Sequence, residues 1–353
     1  MSHYQIIKQI GEGAYSKVYH VTYQNKDYAM KKVNLIGITN NQKKYILSEL
    51  KIISEHNSNF IIKFYNAFVQ DDYMCIVMEY CSKGTLENYI KKNKLLNENV
   101  WKYFSQICGS LMYLHNNNII HRDLKTANIL IDSHDNIKLI DFGVSKILNN
   151  YMKFTKSFVG TPYCMSPEIL KHAFYDHKID IWAMGIVLFQ MTHNGRIPFQ
   201  CKNFDQLREK INNCKFEVDK SVYGGFRVII QRCLQASPHK RIKLEALVKH
   251  ADIKKYLKGQ SKSFNKINQI DRVPNFEQEW LNIVTKLPNN LPPPPKSPLE
   301  KRTRDNNLQF MHNYSKDNLV NLNSRLIDMI VEKNLLISKL ELEIKQIKLL
   351  KLI

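Results

Sequence analysis

The sequence predicts an α+β protein with two lobes, followed by a linker and a C-terminal helix. Residues 4–80 alternate short β-like segments around one helical segment, and residues from about 85 to 257 show mainly helical periodicity. A third part, from 258 onwards, is rich in Asn, Lys and Pro before helical spacing returns. A strand-rich half followed by a helix-rich half favours two lobes with a cleft between them.

The N-terminal lobe is expected to contain an antiparallel sheet and one helix. Segments rich in β-branched and aromatic residues predict strands at 4–10, 17–22, 28–33, 61–68 and 74–80. Ile46, Leu50 and Ile53 repeat at helical spacing and predict a helix over 42–55. The C-terminal lobe is expected to be mainly helical, with helices at 85–92, 100–116, 179–192 and further ones up to residue 256.

Composition divides the chain into a folded domain over 4–257, a partly ordered linker over 258–315 and a C-terminal helix over 316–353. Four consecutive prolines, at 292–295, favour an extended polyproline conformation in the linker. The last part has apolar residues at a 3-4-3 spacing, which are Leu319, Leu322, Leu326 and Met329. Such a helix can pack on the domain or form a dimerising coiled coil, and the preceding linker favours the coiled coil.

The chain is strongly basic, with 52 Lys and Arg residues against 32 Asp and Glu residues and a formal net charge of +20. This excess suits nucleic acid, acidic membrane surfaces, acidic proteins or tubulin-like polymers. The lysines are dispersed, and no zinc-finger, RNA-binding or helix-turn-helix signature accompanies them, which argues against nucleic acid. The seven cysteines form no CxxC pair, so neither zinc nor a disulfide framework is indicated.

Targeting signals are also missing from the sequence. The first residues lack the pattern of a signal peptide, and no apolar run approaches about 18 residues. We therefore expect a cytoplasmic protein without a membrane span.

A glycine-containing turn is predicted between the first two strands, in the segment GEGAYSKV at 11–18. A dinucleotide-binding turn would open a helix, whereas this turn is followed by a strand pattern. Gly11 and Gly13 would let backbone N–H groups approach a phosphate chain without a Cβ in the way. Taken alone, the segment fits an ordinary hairpin turn equally well.

Lys31 ends the third predicted strand among apolar neighbours, in the segment AMK at 29–31. A lysine there could pair with the α- and β-phosphates of a nucleotide if a carboxylate held it in place. Glu49 is the favoured partner, because the apolar residues three or four positions away place it on the inner face of its helix. Glu55, at the end of the helix, is the alternative.

The most informative string is HRDLKTAN at 121–128, followed by DFG at 141–143. Phosphoryl transfer requires positioning and charge neutralisation more than covalent chemistry. Asp123 suits the carboxylate that orients the attacking hydroxyl and accepts its proton. Asn128 and Asp141 suit the oxygen ligands of Mg²⁺, because hard cations prefer oxygen. Isolated Asp and Asn residues often only cap turns, but this joint match of type, order and spacing argues against that interpretation.

These motifs resemble those of the eukaryotic protein kinase superfamily, and the resemblance covers residues 4–257. It implies the bilobal protein-kinase fold, protein substrates, and ATP and Mg²⁺ as cofactors. Lys125, which follows the catalytic Asp123, resembles the serine/threonine class and would neutralise the transferring phosphate. Thr161, in the segment GTPY, supports the same class.

The resemblance also implies nucleotide-binding positions. Met78 would lie at the back of the adenine pocket, and backbone groups of Glu79 and Cys81 would bind adenine. The remaining positions that the family pattern assigns to the nucleotide are Ile10, Gly11, Gly13, Val18, Ala29, Lys31 and Glu49.

Two positions depart from the family pattern. Ser16 replaces the third glycine of the turn, which is the most permissive of the three. Ser166 replaces the common alanine before Pro-Glu, a conservative change if Glu168 pairs with Arg241 as the family pattern implies. Asp180 matches the aspartate that anchors a helix in the family.

Several strings, including CIVMEY at 75–80 and SFVGTPY at 157–163, are similar to the NIMA-related (Nek) kinases. A C-terminal coiled coil after the catalytic domain is also similar. The resemblance implies a role at the cytoskeleton, the centrosome or cilium, or in the cell cycle, with microtubule-associated partners and homodimerisation through the C-terminal helix.

Regulation by phosphorylation is expected in the segment between Asp141 and Glu168. Arg122 places positive charge beside the catalytic Asp123 until an anion arrives. Ser157 is the favoured phosphorylation site, held by Arg122 and Lys146, with Thr155 as the second candidate; Thr161 is the third hydroxyl of the segment considered.

Three functions other than an active kinase are compatible with parts of this sequence. A non-catalytic scaffold could use the same fold and coiled coil to assemble partners. A basic protein could bind polymers through charge. A small-molecule kinase is disfavoured, because the long segment from 141 to 168 suits docking of a peptide.

Overall fold

The computed structural model describes residues 4–13, 16–37, 46, 50, 53–54, 56, 58–141, 162–171, 173, 175–201 and 203–257. The chain divides into two compact units, Met1–Pro292 and Pro293–Ile353. The predicted linker and C-terminal helix lie outside the described residues.

Five strands form an antiparallel sheet in the order β1-β2-β3-β5-β4. The strands are β1 (Gln5–Glu12), β2 (Ser16–Tyr23), β3 (Lys26–Asn34), β4 (Phe64–Gln70) and β5 (Tyr73–Glu79). Gln24 and Asn25 alone connect β2 to β3, with φ of 49° and 59°. Positive φ at both central residues gives a two-residue hairpin turn whose twist matches that of the strands.

The sheet buries apolar side chains on both faces. On one face, Val21, Met30, Cys75 and Val77 form a small cluster. On the other, Val33, Met74 and Ile76 pack around Leu50. Leu50 is helical, as are Ile46, Ile53 and Ser54, and the remaining residues of the predicted 42–55 helix lie outside the described part. The predicted sheet of the N-terminal lobe is therefore confirmed.

The C-terminal lobe is mainly helical, as predicted. Its described helices are α1 (Leu86–Lys92), α2 (Asn97–Asn116), α3 (Pro167–Leu170), α4 (Lys178–Thr192), α5 (Phe204–Asn212), α6 (Gly224–Cys233), α7 (Leu244–Val248) and α8 (Ala251–Leu257). Thr85 begins α1 by accepting a hydrogen bond from the Asn88 amide at 3.2 Å.

Helix α4 lies at the centre of this lobe. It is apolar on nearly every side, and its residues from Ile179 to Met191 are buried. Gly185 permits close packing of α6, because a Cβ there would lie 2.6 Å from the Cβ of Cys233. This central helix provides the support on which the catalytic residues are placed.

Three short strands form a second sheet that the sequence did not predict. They are β6 (Gly84–Thr85), β7 (Ile129–Ile131) and β8 (Ile137–Leu139), in the order β6-β7-β8. Segments of two or three residues are too short to show a period. The sheet nevertheless matters, because β7 and β8 position the residues that precede and follow them.

The predicted strand 61–68 is wrong at its start, because β4 begins at Phe64. Ile61 instead forms an isolated parallel bridge with Leu139 of β8, and the Ile62 amide donates to the Leu139 carbonyl at 3.0 Å. The apolar character of Ile61 and Ile62 therefore reflects burial against the second sheet. Among the described helices, none is both long and apolar enough to cross a membrane.

Candidate active site

One face of the large sheet carries a row of side chains that the sequence assigned to a nucleotide. In the strand register, Val18 lies opposite Lys31, and Ala29 lies opposite Met78. Paired residues of antiparallel strands share a face, and so do alternate residues along one strand. Val18, Ala29, Lys31 and Met78 therefore line one surface together.

The predicted glycine turn joins β1 to β2. Gly11 lies opposite Val18 in the strand register, and the Gly13 amide donates to the Ser16 carbonyl at 2.7 Å. A Cβ on Gly13 would lie 3.1 Å from the Ser16 Oγ. The turn thus lies between two strands and opens no helix, as predicted. Ile10, in the same strand as Gly11, keeps 43% of its surface exposed.

Lys31 contacts Asp141 across the two lobes. The Lys31 Nζ lies 2.7 Å from the Asp141 Oδ1, and the two residues are 110 positions apart. Asp141 has a φ of 55°, an uncommon backbone conformation for a residue other than glycine. Such conformations persist where the surrounding structure imposes them, often at functional sites. The favoured Lys31 partner, Glu49, and its alternative, Glu55, lie outside the described residues.

Asp123, Lys125 and Asn128 form a connected cluster in the catalytic string. The Asn128 Nδ2 donates to the Asp123 Oδ2 at 2.6 Å and to the Asp123 carbonyl at 2.9 Å. The Lys125 Nζ lies 3.1 Å from the same Oδ2. A short 3-10 helix over Thr126–Asn128 and strand β7 directly after it hold Asn128 in place. The Asp123 carboxylate thus has one amide and one ammonium group beside it.

A buried carboxylate from the central helix α4 anchors the chain before this cluster. Asp180, 1% exposed, accepts hydrogen bonds from the backbone amides of His121 and Arg122, each at 2.9 Å. Its Oδ2 also lies 2.8 Å from the His115 Nε2. Arg122 has a φ of 66°, a conformation that these contacts help to impose. The anchoring role expected for Asp180 is thus present, and His115 is a partner that the sequence did not reveal.

The second sheet brings the backbone of Asn128 next to the residue that precedes Asp141. Ile129 and Leu139 are paired in that sheet, and the Ile140 amide donates to the Asn128 carbonyl at 3.0 Å. Since Asn128 uses its Nδ2 on Asp123, its Oδ1 is the atom that can bind a cation. One amide oxygen and one carboxylate fit Mg²⁺, which usually binds few protein ligands and completes its shell with phosphates and water.

This donor set differs from that of an all-protein metal site. Within the described ranges, no group of three or more His, Cys, Asp or Glu side chains could hold a metal ion. A divalent cation at Asn128 and Asp141 would therefore need additional oxygen ligands, and the phosphates of a nucleotide can supply them.

Glu168 and Arg241 form a buried bidentate ion pair. The Arg241 Nη1 lies 2.6 Å from the Glu168 Oε1, and its Nη2 lies 2.7 Å from the Oε2. Arg241 also donates to the backbone carbonyls of Gln235 and Lys178. The pairing expected for Glu168 is present, so Ser166 in place of alanine leaves it intact.

At the end of β5, both the side chain and the backbone amide of Glu79 have partners within the protein. The Glu79 Oε1 lies 3.0 Å from the Lys138 Nζ, and the Glu79 amide donates to the Lys63 carbonyl at 2.9 Å. Burial, together with the nearby Glu79 charge, raises the pKa of the Cys81 thiol to about 12. Cys81 is therefore a neutral thiol rather than a nucleophile at neutral pH.

Several predicted regulatory residues lie outside the described part of the chain, namely Lys146, Thr155, Ser157 and Thr161. Arg122 is described, and its Nε is buried without a hydrogen-bond partner among the described residues.

Residues 4–252 match the protein kinase domain family. The chain therefore belongs to the protein kinase family. It is 32% identical over 264 residues to serine/threonine-protein kinase Nek6 of Oryza sativa subsp. japonica, which covers 73% of this chain and 49% of the relative. It is 32% identical over 256 residues to human serine/threonine-protein kinase Nek5, covering 70% of this chain and 36% of the relative.

The chain is also 30% identical over 275 residues to cell cycle serine/threonine-protein kinase CDC5/MSD2 of Saccharomyces cerevisiae, covering 76% of this chain and 38% of the relative. It thus spans half the length or less of these relatives. All three relatives are named as serine/threonine-protein kinases, and two of them are named Nek kinases, so the chain is similar to proteins of that kind.

Proposed function

We propose that the chain is an active kinase that transfers the γ-phosphoryl group of ATP to Ser or Thr hydroxyls of protein substrates. The observation that carries this proposal is the arrangement of two linked contacts. Lys31 pairs with Asp141 at 2.7 Å, and Asn128 bonds Asp123 at 2.6 Å while its chain is tied to the residue before Asp141. Positioning of phosphates and of a hydroxyl needs these groups together.

Asp123 would orient the substrate hydroxyl and accept its proton. The hydroxyl oxygen then forms a bond to the γ-phosphorus as the bond to the β-γ bridging oxygen breaks and ADP leaves. Lys125, 3.1 Å from Asp123, would contact the transferring group and offset its charge. Asn128 holds Asp123 through its amide, so that the carboxylate keeps one orientation for the incoming hydroxyl.

The phosphates would lie beside the Lys31–Asp141 contact, within reach of Asn128. Mg²⁺, held by Asn128 and Asp141, would neutralise phosphate charge when bound. Lys31 would bind the α- and β-phosphates, with Glu49 as its proposed second partner. Because Gly11 and Gly13 have no Cβ, the phosphates could come close to the backbone of this turn.

The adenine ring would lie against the face of the large sheet that carries Val18, Ala29 and Met78, with Ile10 at its rim. Because the Glu79 amide is already bonded to Lys63, the carbonyl of Glu79 would accept from the adenine amino group. The Cys81 backbone would supply the second adenine contact.

Transfer of radioactive phosphate from Mg·ATP to dephosphorylated casein tests the proposed activity. We expect labelled phosphoserine or phosphothreonine with the full chain, and a loss of about 100-fold or more with Asp123→Ala. If the full chain transferred no radioactive phosphate to casein, the result would favour a non-catalytic scaffold. Equal labelling by Asp123→Ala would show that the residue roles are wrong.

We propose further that an anion on the segment between Asp141 and Glu168 raises the activity. The buried Arg122 Nε beside Asp123 supports this regulation, because a phosphate could satisfy it. Ser157 is the favoured site, with Lys146 as a second cation, and Thr155 and Thr161 are the other hydroxyls. Full activity of phosphatase-treated Ser157→Ala would exclude Ser157.

We propose the domain limits 4–257, 258–315 and 316–353 from the composition of the chain, and a homodimer formed by the last segment from its helical spacing. A cytoplasmic role linked to the cytoskeleton or the cell cycle is proposed from the similarity to the Nek kinases. A dimer would raise the local concentration of kinase and favour autophosphorylation in trans. Deletion of 316–353 should halve the mass in solution and slow autophosphorylation, whereas an unchanged mass would exclude this dimer.

A further inference from the structure

His20 lies on the same sheet face as the proposed adenine site. It follows Val18 by two positions on β2, and it lies opposite Ala29 in the strand register. Alternation along the strand therefore puts its side chain on the face that carries Val18 and Ala29. Because Ala29 in turn lies opposite Met78, His20 is close to the end of β5 at Glu79.

The His20 ring is stacked on Tyr80. The two ring centroids are 3.9 Å apart, and the planes differ by only 2°. Tyr80 directly follows β5 and is the residue between Glu79 and Cys81. Through this stack, His20 holds the side chain of Tyr80. The residues on either side of Tyr80, Glu79 and Cys81, are the two whose backbone is proposed to bind adenine.

Asp27 orients the imidazole from the neighbouring strand. The His20 Nε2 lies 2.7 Å from the Asp27 Oδ1. A carboxylate can only accept, so the Nε2 carries the proton. The Nδ1 is buried and has no hydrogen-bond partner among the described residues.

We propose that His20 is a positioning residue for the adenine of ATP. By holding Tyr80, it keeps the backbone of Glu79 and Cys81 at the spacing that adenine recognition requires. Adenine offers a donor at its amino group and an acceptor at N1, whereas guanine presents the opposite pattern at these positions. A fixed backbone can distinguish the two purines, so loss of the stack weakens ATP binding and lowers the preference for ATP over GTP. This inference rests on the proposed kinase function.

Steady-state kinetics of the full chain test the inference with three variants. His20→Ala removes the stack, His20→Phe keeps an aromatic ring on Tyr80, and His134→Ala is a control at an exposed histidine. We expect His20→Ala to raise the KM for ATP roughly two- to tenfold, as a lost aromatic pair would. Its kcat at saturating ATP and its KM for the protein substrate stay unchanged, and the ratio of kcat/KM for ATP over GTP falls. His20→Phe restores both values, and His134→Ala changes neither.

Two further results complete the test. If His20→Ala does not fold, Tyr80→Leu removes the stack from the other side and should raise the KM for ATP in the same way. A wild-type chain that neither binds Mg·ADP in calorimetry nor phosphorylates protein would defeat the proposed function and this inference together. A wild-type chain that does both, with His20→Ala or Tyr80→Leu identical to it in KM and purine preference, would overturn the inference alone.

Discussion

The two sides of the active site are held by different kinds of contact. On the helical side, Asp180 is 1% exposed and bonds two backbone amides of the catalytic string. Where the large sheet meets the helical lobe, Lys31 and Asp141 keep 20% and 44% of their side-chain surface exposed. Buried, fully bonded groups fix one geometry, whereas exposed ion pairs contribute little to stability. We infer that the catalytic residues are positioned before substrate arrives, while the nucleotide-binding face depends more on its ligand.

The buried ion pair of the helical side should give the largest effect on stability. Glu168→Ala leaves the Arg241 guanidinium, which is fully buried, without its carboxylate. Removal of one partner of such a pair costs roughly 3–5 kcal/mol in the free energy of unfolding. Urea unfolding measures this loss. Glu87→Ala, which breaks the exposed Lys91–Glu87 pair, is the matched control and should cost under about 1 kcal/mol. An equal loss in the free energy of unfolding for the two variants would show that the buried pair stabilises the fold no more than the exposed pair does.

Lys31 should behave in the opposite way, with a large effect on activity and a small one on stability. Lys31→Met loses the contact to Asp141 and to the proposed phosphates, so we expect activity to fall roughly 10²- to 10³-fold. Because the pair is partly exposed, the free energy of unfolding should change by less than about 1 kcal/mol. Kinase assays and urea unfolding measure the two quantities.

Lys32→Met provides the control for Lys31→Met. Lys32 is the next residue on β3 and lies over the Tyr73 ring, 4.8 Å from its centroid, on the other face of the sheet. We expect near wild-type activity. An equal loss of activity in the two variants would mean that the effect comes from charge on β3 in general.

Asp135 should give the smallest effect, and one that depends on pH. Burial alone would raise the pKa of Asp135, but hydrogen bonds from Lys83 and Tyr103 and the charge of Lys102 outweigh it and lower the pKa. A lowered pKa means that the folded state binds this proton less readily than the unfolded state. The stability that these contacts provide is present above the unfolded pKa of about 4 and is lost as the pH falls through the folded pKa.

Acid unfolding of Asp135→Asn measures this contribution. The variant should be slightly less stable than wild type at neutral pH, and the difference should shrink below about pH 4. Asp72→Asn, at an exposed position in the β4–β5 turn, should follow the wild-type curve. A difference for Asp135→Asn that persisted unchanged into acid would exclude the proposed linkage.

Much of the fold could be predicted because its elements are long enough to show a period. The strands that carry Val18 and Lys31 and the central helix with Asp180 all appear close to the predicted limits. The start of the strand predicted over 61–68 was wrong, because Ile61 pairs with Leu139 of β8, which lies far away in the sequence. A local pattern reports that a residue is buried but cannot report what buries it.

The residues of the candidate site could likewise be predicted where a local motif marks them, but their long-range contacts could not. The motif spacing predicted Asp123, Asn128 and Asp141, and in the structure Asn128 bonds Asp123 and the backbone of Ile140, the residue before Asp141. The contact of Lys31 with Asp141 joins residues 110 positions apart, and no local pattern indicates it. His20 could have been found from strand alternation after Val18, but only the structure shows that its ring meets Tyr80.

The most direct test compares turnover and nucleotide binding in Asp123→Asn. The substitution keeps the shape of the side chain that Asn128 and Lys125 contact and removes its capacity to accept a proton. We predict that turnover falls about 100-fold or more, while the dissociation constant of Mg·ADP stays within about twofold of wild type, because only a transition-state interaction is lost. Retained turnover, or a parallel loss of Mg·ADP binding, would contradict the role of Asp123 as the base in a preformed site.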